Sequence, residues 1–238
     1  MNAHFRPNIA WYPESPQPCR NTVVIWSPEV VCHDDKTYGS WNVPVTDVHI
    51  DQADSESECK FVNMSCSHPG IYRFDTICKY IDLNCLEIQL VLTNLSEQLW
   101  QNAYAEACIQ LATAPDFRYA DGAAVFYAST DGIRHFAKEF MPVNEWGCQF
   151  LKDPEVPFEH PLMMVPSSCA KYTFGHAFSG SGTIFGNGAP RIHCVHSYRP
   201  AHLPTLEPGQ STTQTGLIFV AEGGPSQALE YYLKWQGQ

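Results

Sequence analysis

The run from Val45 to Gln52 contains three titratable side chains at alternate positions, namely Asp47, His49 and Asp51. Alternate residues of a β-strand point to the same face, so a strand here would place all three on one surface. A carboxylate beside a histidine fixes the imidazole tautomer and raises its basicity, which suits a general base or a metal ligand. An ordinary solvent-facing strand would show the same pattern.

The run from Arg191 to Tyr198 contains a second group of chemically capable side chains. As a strand it places Arg191 and His193 on one face, and His196 with Tyr198 on the other. We favour Arg191 with His193 as a functional pair, because a guanidinium can hold a substrate while an imidazole moves a proton. Structural roles for these histidines are equally compatible with the pattern. A thiol nucleophile at Cys194 is disfavoured, since its immediate neighbours in a strand point away from it.

Two further segments add polar side chains. In residues 81–93 apolar residues alternate with polar ones, which predicts a strand with Glu87 and Gln89 on its polar face. Residues 96–113 fit either a helix or a strand, and we favour the strand because the neighbouring segments have strand patterns. A strand would align the following side chains on one face: Tyr104, Glu106, Cys108 and Gln110. His176 lies in phase with three aromatic residues, which favours a packed, hydrogen-bonded histidine.

The elements that must position these side chains are short. The chain has 18 prolines and 15 glycines spread between short apolar runs, which is typical of many short strands. We predict an all-β fold, an antiparallel β-sandwich of the supersandwich or jelly-roll kind, with a short helix at residues 226–235. Residues 1–40 are predicted to form an arm packed on the body, and residues 41–238 a single sandwich domain. Asp131-Gly132 predicts a hairpin turn.

The charge balance limits the partners. There are 14 Lys and Arg against 25 Asp and Glu, a formal net charge of −11, which argues against nucleic acid and anionic membrane surfaces. Apolar runs are too short to span a bilayer. The first residues lack a secretory pattern, which predicts a cytoplasmic protein, with secretion after signal removal as the alternative. Ten scattered cysteines without a CxxC pair favour buried free thiols. The composition leaves a homo-oligomer open.

Several segments of the C-terminal region resemble segments of a known protein family. These segments are Arg191-Ile-His-Cys-Val-His-Ser, Leu206-Glu-Pro-Gly-Gln-Ser and Thr215-Gly-Leu-Ile-Phe-Val-Ala-Glu-Gly. They resemble the closing strands of bacterial galactose-mutarotase-like β-sandwich proteins, and Leu92-Thr-Asn-Leu and Ala114-Pro-Asp-Phe are similar to turns in those proteins. The resemblance implies a concave sheet that faces a sugar, with a histidine and a carboxylate sharing acid/base work at a sugar carbon. The residues that could fill those roles are His49, His193 and Glu106 or Glu87.

We therefore expect a carbohydrate-active enzyme that acts on a sugar or glycoside by proton transfer, as an epimerase, lyase or hydrolase. His49 is the expected base, oriented by Asp47 or Asp51, and His193 or Glu106 is the expected acid. The remaining residues of this hypothesis contact the substrate: Arg191, Glu87 and Gln89.

Two alternatives stay open. One is a divalent-metal site at His49, Asp51 and His193, because imidazole with carboxylate suits Zn, Mn or Fe. Without such an ion, the chemistry needs no cofactor. The other alternative is a carbohydrate-binding module without catalysis, in which some of the aromatic residues, 13% of the chain, stack on sugar rings.

Overall fold

The computed structural model describes residues 8–17, 20–39, 47–53, 61–117, 125–136, 157–187 and 194–237. Within these ranges the chain forms two antiparallel sheets and a C-terminal helix, α1 (Pro225–Trp235). The smaller sheet contains β1 (Asn8–Trp11), β2 (Thr22–His33), β3 (Lys36–Gly39), β8 (Tyr104–Thr113), β13 (Ser181–Asn187) and β14 (Cys194–Pro200). The larger sheet contains β4 (Asp47–Ala53), β5 (Phe61–His68), β6 (Tyr72–Asp82), β7 (Cys85–Asn94), β9 (Phe126–Ser129), β10 (Gly132–His135), β11 (Phe158–Pro166), β12 (Tyr172–Phe178) and β15 (Ser211–Glu222).

Strand order brings distant parts of the sequence together. The smaller sheet runs β1-β2-β8-β14-β13, with β3 also paired to β2, and the larger runs β10-β9-β11-β12-β15-β7-β6-β5-β4. The predicted antiparallel sandwich and its short C-terminal helix are confirmed. Residues 1–40, predicted as an arm, contribute three strands to the smaller sheet, and Trp11 is fully buried in the core.

The core lies between the inner faces of the two sheets. Strand β7 alternates buried apolar residues with half-buried ones, as a period of two requires, whereas residues 105–109 of β8 are buried on both faces. The inward residues of these strands are Leu86, Ile88, Leu90 and Leu92 from β7 and Ala105, Ala107, Ile109 and Leu111 from β8. Each buried Leu or Ile contributes about 1.5–3 kcal/mol through removal of its side chain from water. This burial fixes which side chains remain on the outer faces.

The ambiguous segment at 96–113 is a strand from Tyr104 onward, as we favoured. Its helical spacing arises because Trp100 and Ala103 are buried before the strand begins. The predicted Asp131-Gly132 hairpin is confirmed between β9 and β10, with Gly132 at a φ of 120° that disfavours other residues.

Helix α1 covers the outer face of the larger sheet. Its buried residues Ala228 and Tyr232 pack against Leu217 and Phe219 of β15. The described cysteines are free thiols, as predicted, and all except Cys169 are buried. No helix in the described ranges has both the length and the apolar character needed to cross a membrane.

Candidate functional site

A group of titratable side chains lies on the outer face of the smaller sheet. Strands β2, β8 and β14 are adjacent there. Their inward residues, such as Val31 and Val195, belong to the core, so the alternate residues point outward. We call these outward residues the outer-face cluster: Glu29 of β2, Glu106 and Cys108 of β8, and Cys194 and His196 of β14.

A bulge in β2 explains the position of Glu29. Trp26 pairs with Cys108 and Val30 pairs with Glu106, so residues 27–29 of β2 oppose a single residue of β8. Pro28 lies within the bulge, where its missing N–H is not needed for pairing. Bulges redirect side chains and are common beside active sites. Here the bulge leaves Glu29 within reach of the third strand, β14.

Three side chains contact the imidazole ring of His196. Its Nε2 lies 3.0 Å from Sγ of Cys194, and its Nδ1 lies 3.5 Å from Oε2 of Glu29. Its ring stacks on Phe185 of β13, with centroids 4.1 Å apart and planes 9° apart. The His196 side chain is almost fully buried, whereas 20% of the Glu29 side chain is exposed. Glu29 is therefore the member of this pair that meets solvent.

The charges in the cluster shift two pKa values. Burial opposes the charged form of His196, but the negative charges of Cys194, Glu29 and Glu106 raise its pKa to about 9. Burial also raises the pKa of Glu106 to about 8, with the charge of Glu29 acting in the same direction and His196 opposing it. At neutral pH the site thus holds an imidazolium beside a protonated carboxyl group. Two groups that carry protons side by side are suited to proton transfer.

Arg199 and Tyr104 flank the cluster. Arg199 is exposed, and its guanidinium carbon lies 5.8 Å from the centroid of the half-buried Tyr104 ring, a distance at which a cation and a ring attract. The positive charge of Arg199 acts on Glu106, where it opposes the upward shift in pKa. An exposed guanidinium and an aromatic ring are groups that can contact a hydroxylated ligand.

The cluster also has the spacing of a cation site. In the described residues, the ligand atoms of Cys108, Cys194 and His196 lie within 4.8 Å of one another, and so do those of Glu29, Glu106 and His196. Thiolates with imidazole suit Zn²⁺, and carboxylates with imidazole suit Mn²⁺ or Fe²⁺. His196 belongs to both sets, so a bound ion would compete with its role as a proton carrier.

The predicted site residues are only partly brought together. Residues 47–51 do form a strand, β4, and His49 is exposed on it. β4 ends the larger sheet, whereas Glu106 lies on the outer face of the smaller one. The side chains of Asp47 and Asp51, and the residues Arg191 and His193, lie outside the described part of the structure. Of the predicted metal ligands His49, Asp51 and His193, only the histidine of β4 is therefore described.

Glu87 and Gln89 lie on the outer face of the larger sheet, opposite the core residues of β7. Nε1 of Trp235, in helix α1, donates a hydrogen bond to Oε2 of Glu87 at 3.4 Å. Glu106 is on the other side of the sandwich, so the structure does not bring Glu87 and Glu106 into one site.

The residues that sequence reasoning missed share a simple spacing. Cys194 and His196 are two positions apart and therefore face the same way, whereas our interpretation treated both His193 and His196 as neighbours that point away from Cys194. Glu29 carries no visible signal, because the bulge that positions it depends on pairing with a distant strand. His176 is packed as predicted, and its Nε2 accepts a hydrogen bond from the Ser197 N–H at 3.2 Å. Burial and the charge of His196 lower the pKa of His176 to about 3.

A cavity of about 270 Å³ is lined by residues of both sheets. The lining includes the apolar side chains of Phe74, Leu90 and Leu92 and residues 212–214 of β15. Tyr104 lines this cavity and also precedes Glu106 by two residues on β8. The cavity contains no pair of groups with shifted pKa values, so the outer-face cluster is the stronger candidate for chemistry.

Comparison with known proteins gives a fold but no sequence family. The sequence matches no family model and no curated protein. The structure is similar to the Slr1438 protein from Synechocystis sp. PCC 6803, with 12% identity and a TM-score of 0.50 over 90% of this chain and 84% of that one. It is also similar to a Klebsiella pneumoniae protein provisionally assigned as an aldose 1-epimerase, with 12% identity and a TM-score of 0.53 over 87% of this chain and 63% of that one.

A third similar structure is the α-galactosidase AgaA from Geobacillus stearothermophilus in complex with raffinose, with 10% identity and a TM-score of 0.51. The match covers 90% of this chain but only 32% of that enzyme. At these identities the similarity concerns the fold alone. The predicted resemblance to galactose-mutarotase-like sandwiches is confirmed at that level.

Proposed function

We propose that this galactose-mutarotase-like sandwich is a carbohydrate-active enzyme that transfers protons at a sugar or glycoside in its outer-face cluster. The observation that supports this proposal is the proximity of Glu29, Glu106 and His196, whose ligand atoms lie within 4.8 Å of one another on three adjacent strands. Similar folds in a provisionally assigned aldose 1-epimerase and in an α-galactosidase are consistent with a sugar as substrate.

Glu106 is the proposed acid. Its raised pKa, about 8, keeps its proton in place at pH 7. A carboxyl group that stays protonated at neutral pH can deliver a proton to a ring oxygen or to a glycosidic oxygen.

Glu29 is the proposed base. It is the partly exposed carboxylate of the cluster, and the imidazolium of His196 stabilises its negative charge from 3.5 Å. Removal of a proton from a sugar hydroxyl by Glu29, with delivery of another by Glu106, would open a sugar ring. The ligand atoms of this cluster lie within 4.8 Å, closer than the roughly 6.5–9.5 Å between the carboxyl groups of inverting glycosidases. The spacing therefore favours an epimerase, or a retaining hydrolase, over an inverting one.

His196 is a positioning residue and a proton reservoir in this scheme, and Arg199 anchors the substrate. A separate proposal places the base at His49, oriented by Asp47 or Asp51, with Arg191 and His193 as partners. It would place the chemistry at the edge strand β4. Loss of turnover in His49→Ala with full turnover in Glu106→Gln would favour that second location.

The test is turnover of a panel of aldoses and aryl glycosides, followed by NMR for anomer exchange and by absorbance for glycoside cleavage. Glu106→Gln should lower the rate by about 10²–10⁴-fold, the usual contribution of one positioned acid. Glu87→Gln is the matched control, because it makes the same change on the opposite side of the sandwich. Equal loss in both variants, or no loss in Glu106→Gln, would contradict the proposal.

Metal content separates this mechanism from a metal-dependent sugar enzyme. The proposal predicts full turnover in protein freed of transition metals. About one equivalent of a transition metal, lost together with turnover in His196→Gln, would contradict it, because an imidazole that binds a metal cannot also be the imidazolium that this proposal requires. Sugar binding without any turnover would instead indicate a carbohydrate-binding module.

A further inference from the structure

We infer that the sulfur side of the outer-face cluster is a binding site for Zn²⁺, whose ligands are Sγ of Cys108, Sγ of Cys194 and Nε2 of His196. Glu29 orients the imidazole from its other nitrogen. This site goes beyond the proposed function, because it rests on the two thiols, which the sugar chemistry does not use. The proposed acid, Glu106, is not among its ligands.

The three ligand atoms already lie close to the separations that one zinc ion requires. Sγ of Cys194 is 3.0 Å from Nε2 of His196, and all three ligand atoms lie within 4.8 Å of one another. The thiols of Cys108 and Cys194 are hydrogen-bonded to each other. Zinc binds sulfur at about 2.3 Å and imidazole nitrogen at about 2.0–2.1 Å, so two ligands of a tetrahedral ion are roughly 3.6–3.8 Å apart. Small rotations of these side chains are enough to reach that arrangement.

Strand pairing explains why these ligands meet. Cys194 of β14 pairs with Gln110 of β8. Cys108 precedes Gln110 by two residues and therefore shares its face of β8, and His196 shares the face of Cys194 in the same way. The ligands thus project from the same face of two hydrogen-bonded strands. A set of ligands on rigid strands is preorganised, so little order has to be created when the ion binds.

The surrounding side chains are the partners that metal ligands need. Nδ1 of His196 lies 3.5 Å from Oε2 of Glu29, and a metal-bound histidine almost always donates its other N–H to a carboxylate, a carbonyl or water. Phe185 stacks on the imidazole, which fixes the plane of the ring. The side chain of Gln110 hydrogen-bonds the thiol of Cys108. An amide N–H donates, so this contact stabilises a thiolate ligand.

The donor set and its burial favour zinc over the hard divalent cations. Thiolate and imidazole suit Zn²⁺, whereas Mg²⁺ and Ca²⁺ take oxygen ligands. Cys108 and Cys194 are each 2% exposed and pack against Trp26. Two buried thiolates in such surroundings need a positive charge between them, which the ion supplies. The exposed 20% of the Glu29 side chain marks the side from which an ion can enter.

Binding exchanges protons for the ion. The two cysteines release their thiol protons to solvent, and His196 binds as a neutral ring that keeps its hydrogen on Nδ1, towards Glu29. The zinc-bound protein therefore lacks the imidazolium on which the proposed acid/base chemistry depends. Zn²⁺ should inhibit that chemistry, a consequence that rests on the proposed function, whereas the binding itself does not.

The experiment titrates Co²⁺, and then Zn²⁺, into the reduced full chain after chelation of metals. Co²⁺ is the probe, because it adopts the tetrahedral sites of zinc and shows a sulfur-to-cobalt charge-transfer band when thiolates bind it. We expect about one equivalent of Co²⁺ with this band, and its displacement by one equivalent of Zn²⁺. Zn²⁺ should also raise the urea midpoint of the wild type, since an ion that binds only the folded state stabilises it.

Variants assign the ligands. Cys194→Ser should lose the charge-transfer band and the increase in urea midpoint with Zn²⁺. Cys169→Ser is the matched control, because it makes the same change at the exposed thiol and should behave as wild type. Glu29→Gln should keep the band but weaken Zn²⁺ binding by about 10–100-fold, the usual effect of losing a carboxylate that orients a ligand.

A wild-type protein without the charge-transfer band would overturn the inference, and this result needs no variant. Co²⁺ binding without that band would place the ion on the carboxylate side of the cluster and would equally overturn it. Uptake that is the same in Cys194→Ser as in wild type would indicate an adventitious ion only. Zinc binding without sugar turnover would refute the proposed function alone, whereas sugar turnover in a protein that binds no zinc would refute this inference alone.

Discussion

Replacement of Glu106 by Gln should remove activity and raise stability at alkaline pH. The glutamine side chain keeps the shape of the glutamate side chain but cannot ionise. Glu106 is 8% exposed, and the charged groups that face it are Glu29 on β2, with His196 and Arg199 on β14. Burial and Glu29 disfavour its charged form more than His196 and Arg199 favour it, so its pKa rises from the ordinary 4.5 to about 8.

This raised pKa sets the sign and the size of the stability effect. The folded protein keeps the proton of Glu106 to a higher pH than the unfolded chain does. The folded state therefore binds more protons between about pH 4.5 and pH 8, and this group makes stability fall as the pH rises through that interval. Each pKa unit corresponds to about 1.4 kcal/mol, so the full effect is on the order of 5 kcal/mol.

The assay is urea unfolding of wild type, Glu106→Gln and the control Glu87→Gln at pH 5 and pH 9. Glu106→Gln should gain several kcal/mol relative to wild type between the two pH values, whereas Glu87→Gln should follow wild type. The charge of Glu106 is one of the causes that raise the pKa of His196, so Glu106→Gln also lowers that pKa. A lower pKa of His196 reduces the loss of stability between about pH 6.5 and pH 9, which has the same sign as the effect of Glu106 itself. A Glu106→Gln variant with the same pH dependence as wild type would refute the argument that this carboxyl group is protonated at neutral pH.

Three other changes have defined outcomes. Gly175→Ala should destabilise the fold by about 1–3 kcal/mol in urea unfolding, because its Cβ would overlap the Phe219 ring; an unchanged midpoint would show that this ring moves freely. Cys194→Ser should lower the pKa of His196 below about 9, measured by NMR of the imidazole protons, and an unchanged value would mean that the sulfur carries no charge. Arg199→Gln should raise KM about 5–10-fold with little change in kcat, since it loses only a substrate contact; a fall in kcat alone would contradict an anchoring role.

The elements of the fold could largely be predicted from the sequence, because burial in a sandwich leaves a local pattern. The alternation in β7 and the Asp131-Gly132 turn are each encoded within about ten residues, whereas the segment of β8 fits a helix as well as a strand. Strand order is not encoded locally. Residues 29, 106 and 196 meet only because β2, β8 and β14 are neighbours, and no pattern within one segment shows this.

Only part of the candidate site can be predicted from the sequence, because the order of the strands is not encoded locally. Glu106 was identifiable, because the alternation of β8 places it on a face that the core does not use. The sequence pattern places His196 on the face opposite Arg191 and His193 but gives it no role, since its contacts depend on Cys194 two residues earlier and on Glu29 from another strand. Glu29 could not be identified from local sequence, because a β-bulge is defined by the strand it pairs with.

The most direct test of the central claim is the rate of anomer exchange in a panel of aldoses at pH 7, measured by NMR with wild type, Glu106→Gln and Glu87→Gln side by side. A proton-transferring outer-face cluster predicts exchange of at least one aldose above the rate in buffer, loss of that acceleration in Glu106→Gln, and retention in Glu87→Gln. Acceleration that survives in Glu106→Gln would contradict the assignment of this carboxyl group as the acid.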